Sequence, residues 1–133
     1  MLERHSIESA LAGLEAAPQS RKRAMLLVLL VDAAIDARCP AGADPLAWRA
    51  ERATADAALA LVMELAAMRD DGARLVVEAV EVPLAEYPAL TEAHYMVSLY
   101  NGATVPRLRV VAGSTAADAL PLLRRAVAAL GNG

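Results

Sequence analysis

The 133-residue sequence has one cysteine, one lysine and no phenylalanine, and its aromatic residues amount to only 3%. A lone Cys39 cannot close an intramolecular disulfide, which excludes a stapled secreted scaffold and makes a reducing cytoplasm the expected compartment. The formal net charge is -3, the basic pairs Arg107/Arg109 and Arg124/Arg125 are scattered, and Trp48 with three tyrosines are the only residues for stacking. No nucleic-acid partner is expected from such a surface. Long apolar runs are lacking too. Ala24 to Val31 follows Arg21-Lys22-Arg23 as the apolar part of a signal peptide follows its basic part, but Glu3, Glu8 and Glu15 precede it. Asp32 closes the run well short of the roughly 20 residues a spanning helix needs, so neither export nor a membrane partner is expected. The glycines Gly13, Gly42, Gly72, Gly102 and Gly113 are spread along the chain rather than clustered, which excludes a P-loop or a dinucleotide-binding turn.

What is present is apolar: 57% of the residues are hydrophobic. A single domain over residues 1–133 can bury about two-thirds of its unfolded surface without metal or disulfide. Ile7, Ala10, Leu11 and Leu14 form an amphipathic stripe that predicts a helix over 3–16, ended by Pro18. Ala24 to Val31 is apolar on every side and fits either a buried helix or a strand covered on both faces. Asp44-Pro45 is a strong helix start, and Leu46, Ala50, Ala53, Ala57, Leu61, Leu65 and Met68 keep helical spacing until Asp70-Asp71-Gly72, which predicts one long helix. Leu75 to Val82 reads as an interior strand ended by Pro83. Leu90, Ala93, Val97 and Tyr100 favour a helix stopped by Asn101-Gly102, with a hairpin of His94–Tyr100 against Thr104–Val111 as the rival. Thr104 to Val111 is a strand in both cases, and a last helix is expected from near Leu120 to Leu130, because Pro121 suits a first turn.

The resulting alternation of helices and strands predicts an α/β sandwich with parallel crossovers. A phospho-receiver domain would accept Asp32 at a strand end but wants a late lysine, which is missing. Two short segments carry a family resemblance. Leu30-Val31-Asp32-Ala33-Ala34-Ile35-Asp36-Ala37-Arg38-Cys39-Pro40 is similar to the strand, buried acid and first active-site cysteine of the thioredoxin-like fold. Thr104-Val105-Pro106-Arg107-Leu108 is similar to its cis-proline entry. The resemblance implies a thioredoxin-like sandwich over residues 6–130, with a mixed sheet of three to four strands flanked by helices and an extra N-terminal helix. Ala24–Val31 and Leu75–Val82 would be neighbouring parallel strands. It also implies a groove at Pro40, Val105 and Pro106, with a cis bond before Pro106, and Asp32 as a proton relay beside Cys39. Position 42, where the second cysteine belongs, is Gly, so the redox site is degenerate.

A thiol attacks as its thiolate, which a helix N-terminus or a nearby cation favours. Arg38 and Arg49 would help Cys39 in this way, whereas Asp32 and Asp36 would oppose it. Reduction of a protein disulfide also needs a second thiol to resolve the mixed disulfide, and Gly42 offers none. Metal is not expected, since His94 with Glu92, or His5 with Glu8, lacks further ligands at recognisable spacing. Glu81 and Glu86 near a strand end read as solvated loop charge. Trp48, Tyr87, Tyr95 and Tyr100 read as amphipathic packing. Leu59, Val62, Met63 and Ala66 add a second apolar face to the long helix and are candidates for an interface with a protein client or a second copy. The expected function is a non-catalytic accessory or protein-interaction module of the chaperone type, without cofactor. A monothiol redox protein or thiol carrier using Cys39 is the alternative, and a small-ligand-binding domain with a pocket at the strand C-terminal ends is a weaker one.

Overall fold

A computed structural model describes residues 2–81 and 104–131. Five helices and a three-stranded sheet occur among these residues. They run in the order α1 (Leu2–Ala16), α2 (Arg21–Ala37), α3 (Pro45–Ala55), α4 (Ala57–Ala67), β1 (Arg74–Glu81), β2 (Thr104–Ala112), β3 (Thr115–Asp118) and α5 (Ala119–Gly131). The protein is therefore α/β in composition, with the expected N-terminal helix. Residues 82–103, which contain Val82, Pro83, Glu86, Tyr87, Leu90, Glu92, His94, Tyr95, Tyr100 and Asn101-Gly102, lie outside the described residues.

The largest departure from expectation is α2. Residues 24–31 are not a strand but the middle of a 17-residue helix. Its buried positions are Ala24, Leu27, Val28, Val31, Ala34 and Ile35, the i, i+3, i+4, i+7 pattern of a helical face. Arg21–Ala37 contains neither Gly nor Pro, and its Leu, Ala, Met and Arg are good helix formers. Ser20 caps the start by accepting a hydrogen bond from the Arg23 backbone N–H at 3.2 Å. Asp32, expected at a strand end, falls on the half-exposed side of this helix instead. No parallel strand pair forms among the described residues, and the strand, acid and cysteine order that carried the thioredoxin-like resemblance is absent from residues 24–40.

The predicted long helix over 45–68 is two helices. Asp56 adopts extended backbone, φ -144° and ψ 117°, and its carboxylate accepts from the Leu59 N–H. It thus ends α3 and caps α4, the local competition with helix continuation that makes Asp a cap residue. Pro45 opens α3 as expected, after Asp44. Helix α4 stops at Met68, whose backbone is left-handed at φ 52°.

All three strands are antiparallel, in the order β1-β2-β3. Leu75 faces Val110 and Val77 faces Leu108 across the β1–β2 pair. A two-residue turn at Gly113-Ser114 connects β2 to β3, with Gly113 at φ 60°, the positive value a tight hairpin of right-handed twist requires. This last hairpin strand was not anticipated. Pro106 sits in the half of β2 that β3, paired only with Arg109–Ala112, does not cover. A residue without an N–H is tolerated there. No cis peptide bond occurs among the described residues, so the Val105–Pro106 bond is trans and the expected groove geometry is not formed.

Helix α2 is the hub of the packing, touching α1, α3, α4, α5 and β1, while α5 also touches α4, β2 and β3. Leu14, Leu27, Val31, Ile35, Val62 and Leu123 are essentially solvent-free at its centre. Leu75, Leu108 and Val110 on the inner sheet face join this core. On the outer face, Arg107, Arg109, Glu78 and Asp118 are paired. Arg107 meets Asp118 at 2.6 Å, and Arg109 meets Asp118 at 2.9 Å and Glu78 at 3.4 Å.

Candidate functional site

The residues expected to form a redox site fall into two separate settings. Cys39 is half-buried in the loop that follows α2. Its Sγ lies 3.7 Å from the Pro40 carbonyl oxygen and 3.9 Å from that of Ala43, contacts in which the thiol hydrogen is donated to backbone. Cys39 directly follows the C-terminal cap of α2, the pole opposite to the one that supports a thiolate, and near the start of α3 its thiol meets the Ala43 carbonyl oxygen. Pro40 is exposed in the same loop, and Gly42 takes φ 85° there. Pro106 and Val105 belong instead to β2, where they pair with Ala79 and Val80.

Asp32 is engaged elsewhere. Asp32 and Asp36 lie one turn apart on α2 and together hold Arg49 of α3, at 2.7 Å and 3.0 Å. The hydrogen bond that Arg49 donates to Asp32 raises the Arg49 pKa above its ordinary value, with burial opposing and Asp36 assisting. A raised pKa on a cation means that its contribution is complete throughout the neutral range and is lost as the cation deprotonates in strong alkali. One turn away from this clamp, Trp48 Nε1 donates to the Ile35 carbonyl oxygen at 2.7 Å, and the Arg52 guanidinium lies 4.6 Å from the Trp48 ring centroid. Trp48 is thus amphipathic packing, as expected, with its polar tip spent on the last turn of α2. These groups fasten α3, which has no fully buried residue of its own, to the C-terminal end of α2. They form a structural clasp, and the carboxylate expected to relay protons is part of it.

The interface candidates divide. Leu59 and Val62 are core residues, while Met63 and Ala66 are half-buried against the core. The second apolar face of the predicted helix is covered by the chain itself because α4 is inserted against α2 and α5. Large apolar side chains are exposed elsewhere. On α2, Leu26 is 52% and Leu29 43% exposed, and with exposed Ala33 they make one stripe on the side opposite the core. Val77 is exposed where the inner sheet face runs out past the helices.

Two of the cavities lined by described residues bear on a site. One of about 400 Å³ lies between α4, α5 and the β2–β3 hairpin, walled chiefly by Ala57, Ala58, Ala112, Ala116 and Ala117 with Asp56 and Arg125 at its margin. The other, about 310 Å³, lies between the first turn of α2, the end of α4 and the start of β1. It is at the N-terminal end of β1, not at the strand C-terminal ends where the sequence pointed. Sequence reasoning missed both this cavity and the stripe. A basic residue in the first turn of a helix, as Arg21 is, opposes the macrodipole and was the one available signal. Among the described residues no three His, Cys, Asp or Glu side chains converge on a metal-sized site. No helix among them is long and apolar enough to cross a membrane. No family model, curated protein or solved structure matches the chain.

Proposed function

We propose that the protein is a non-catalytic accessory module that docks on a protein client, or on a second copy of itself, through the outer face of α2. The observation that supports this reading is the stripe of Leu26, Leu29 and Ala33. Leu26 and Leu29 are adjacent on a helix whose opposite face is the centre of the core, so the stripe is held rigidly and presented without ordering cost. Covering each half-exposed leucine contributes about 1 kcal/mol by area. Sparing use of charge on this face supports docking as well, since only Lys22 and Asp36 flank the stripe at its two ends.

Site-specific photo-crosslinking tests the reading. A benzophenone side chain at position 29 is expected to give one discrete protein adduct, either a client or a dimer, whereas the same group at exposed Ser9 on α1 gives none. Absence of a discrete adduct from position 29, or identical products from both positions, contradicts docking through α2.

A further inference from the structure

We propose that the cavity between α2, α4 and β1 binds a single-chain anionic amphiphile, with its aliphatic chain on an apolar floor and its head group among three arginines. This does not depend on the docking stripe, because different residues form it.

The floor consists of Met25, Leu65 and Leu75. Leu65 and Leu75 are 3% and 5% exposed, so the base of the cavity is continuous with the core. A volume of about 310 Å³ is at the small end of ligand pockets. The rim holds Arg21, Arg69 and Arg74 against one carboxylate, Asp70. None of the three arginines makes an ion pair or a side-chain hydrogen bond among the described residues, although Arg49, Arg107, Arg109 and Arg124 each hold a carboxylate. In a chain of formal net charge -3, three guanidinium groups against Asp70, the one carboxylate of the lining, give this apolar hollow a local excess of positive charge. Their planar donor forks match an anionic head group.

Met68 adds a separate observation at the mouth. Among the described residues it is the one non-glycine with positive φ, at 52°, and its side chain is 62% exposed. A left-handed backbone disfavours a residue with a long side chain, and such conformations gather where a ligand is clamped. Here the conformation ends α4 and sets a flexible apolar side chain at the cavity edge, where it can close on an aliphatic chain.

Titration calorimetry of the full chain with decanoate below its micelle concentration tests this, with acetate and decyltrimethylammonium as comparison probes. Saturable binding of one decanoate per chain is expected, with no saturable binding of acetate or of the cationic amphiphile. The double variant Arg69→Gln/Arg74→Gln, which alters only exposed side chains, is expected to weaken decanoate binding by about tenfold or more. Met68→Asn keeps a residue that accepts left-handed backbone and removes the apolar arm, and about a threefold weakening is expected. Equal binding of the cationic amphiphile, unchanged affinity in the arginine variant, or no decanoate binding overturns the proposal. Attachment to anionic phospholipid vesicles without saturable decanoate binding also overturns it, assigning the arginines to a membrane surface.

Discussion

The two ends of α2 carry charge of opposite sign and use it differently. At its C-terminal end Asp32, Asp36 and the Ile35 carbonyl are all engaged by Arg49 and Trp48 of α3, so charge there serves to hold one helix on another. At its N-terminal end Arg23 is spent on the Gly13 carbonyl oxygen at 2.8 Å, but Arg21 faces a hollow shared with Arg69 and Arg74. Polar side chains that satisfy one another are explained by the fold. Cations left around an apolar floor are not, and ligand chemistry is sought where such groups remain.

The sharpest way to break this comparison is to exchange neighbours on the two faces of the helix. Leu27→Ala removes a solvent-free side chain and is expected to lower unfolding free energy by about 2–5 kcal/mol, while Leu26→Gln changes it by about 0.5 kcal/mol or less. Urea denaturation reads both, and a strand at 24–31 covered on both faces would make the two costs alike. A smaller effect separates the helix ends. Arg49→Ala is expected to destabilise by about 1 kcal/mol, since both ion pairs are partly exposed and screened. Arg69→Gln, with no carboxylate to lose, should be within about 0.5 kcal/mol of the parent. If Arg69→Gln costs as much as Arg49→Ala, the N-terminal cluster is structural and the contrast fails.

The smallest expected effect is at Cys39. With its thiol directed at the Pro40 and Ala43 carbonyl oxygens, Cys39→Ser is expected to leave the unfolding midpoint and the position-29 adduct unchanged, and iodoacetamide to alkylate the native protein slowly at neutral pH. Rapid alkylation together with insulin-reducing activity that vanishes in Cys39→Ser would favour the monothiol alternative.

Where one period dominated a segment, the fold was legible. The stripe Ile7, Ala10, Leu14 placed α1, Pro121 placed the first turn of α5, and the β-branched runs placed β1 and β2. Helix α2 was misread because eight consecutive apolar residues carry no period of their own. The helical repeat becomes visible only when Ala34 and Ile35, beyond Asp32, are counted with Ala24, Leu27, Val28 and Val31. Direction in the sheet followed from that error, since a strand at 24–31 demanded parallel crossovers and its removal leaves antiparallel neighbours. The break at Asp56 and the turn at Gly113-Ser114 had recognisable local chemistry, a cap residue and a hairpin glycine, overridden by the longer pattern around them. For the candidate sites the reason is different. Arg21 is far in sequence from Arg69 and Arg74 and meets them only because α4 turns at Met68 and leads into β1 beside the start of α2, which no local spacing encodes.

The central claim is that the outer face of α2 is a contact surface and not part of the core. Sedimentation velocity of the double variant Leu26→Gln/Leu29→Gln, run beside the parent and checked by urea unfolding, and repeated with the client where the position-29 adduct identifies one, tests it most directly. Association is expected to be lost while the unfolding free energy stays within about 1 kcal/mol of the parent. Unchanged association, or destabilisation of about 3 kcal/mol or more as for a core substitution, would contradict the claim.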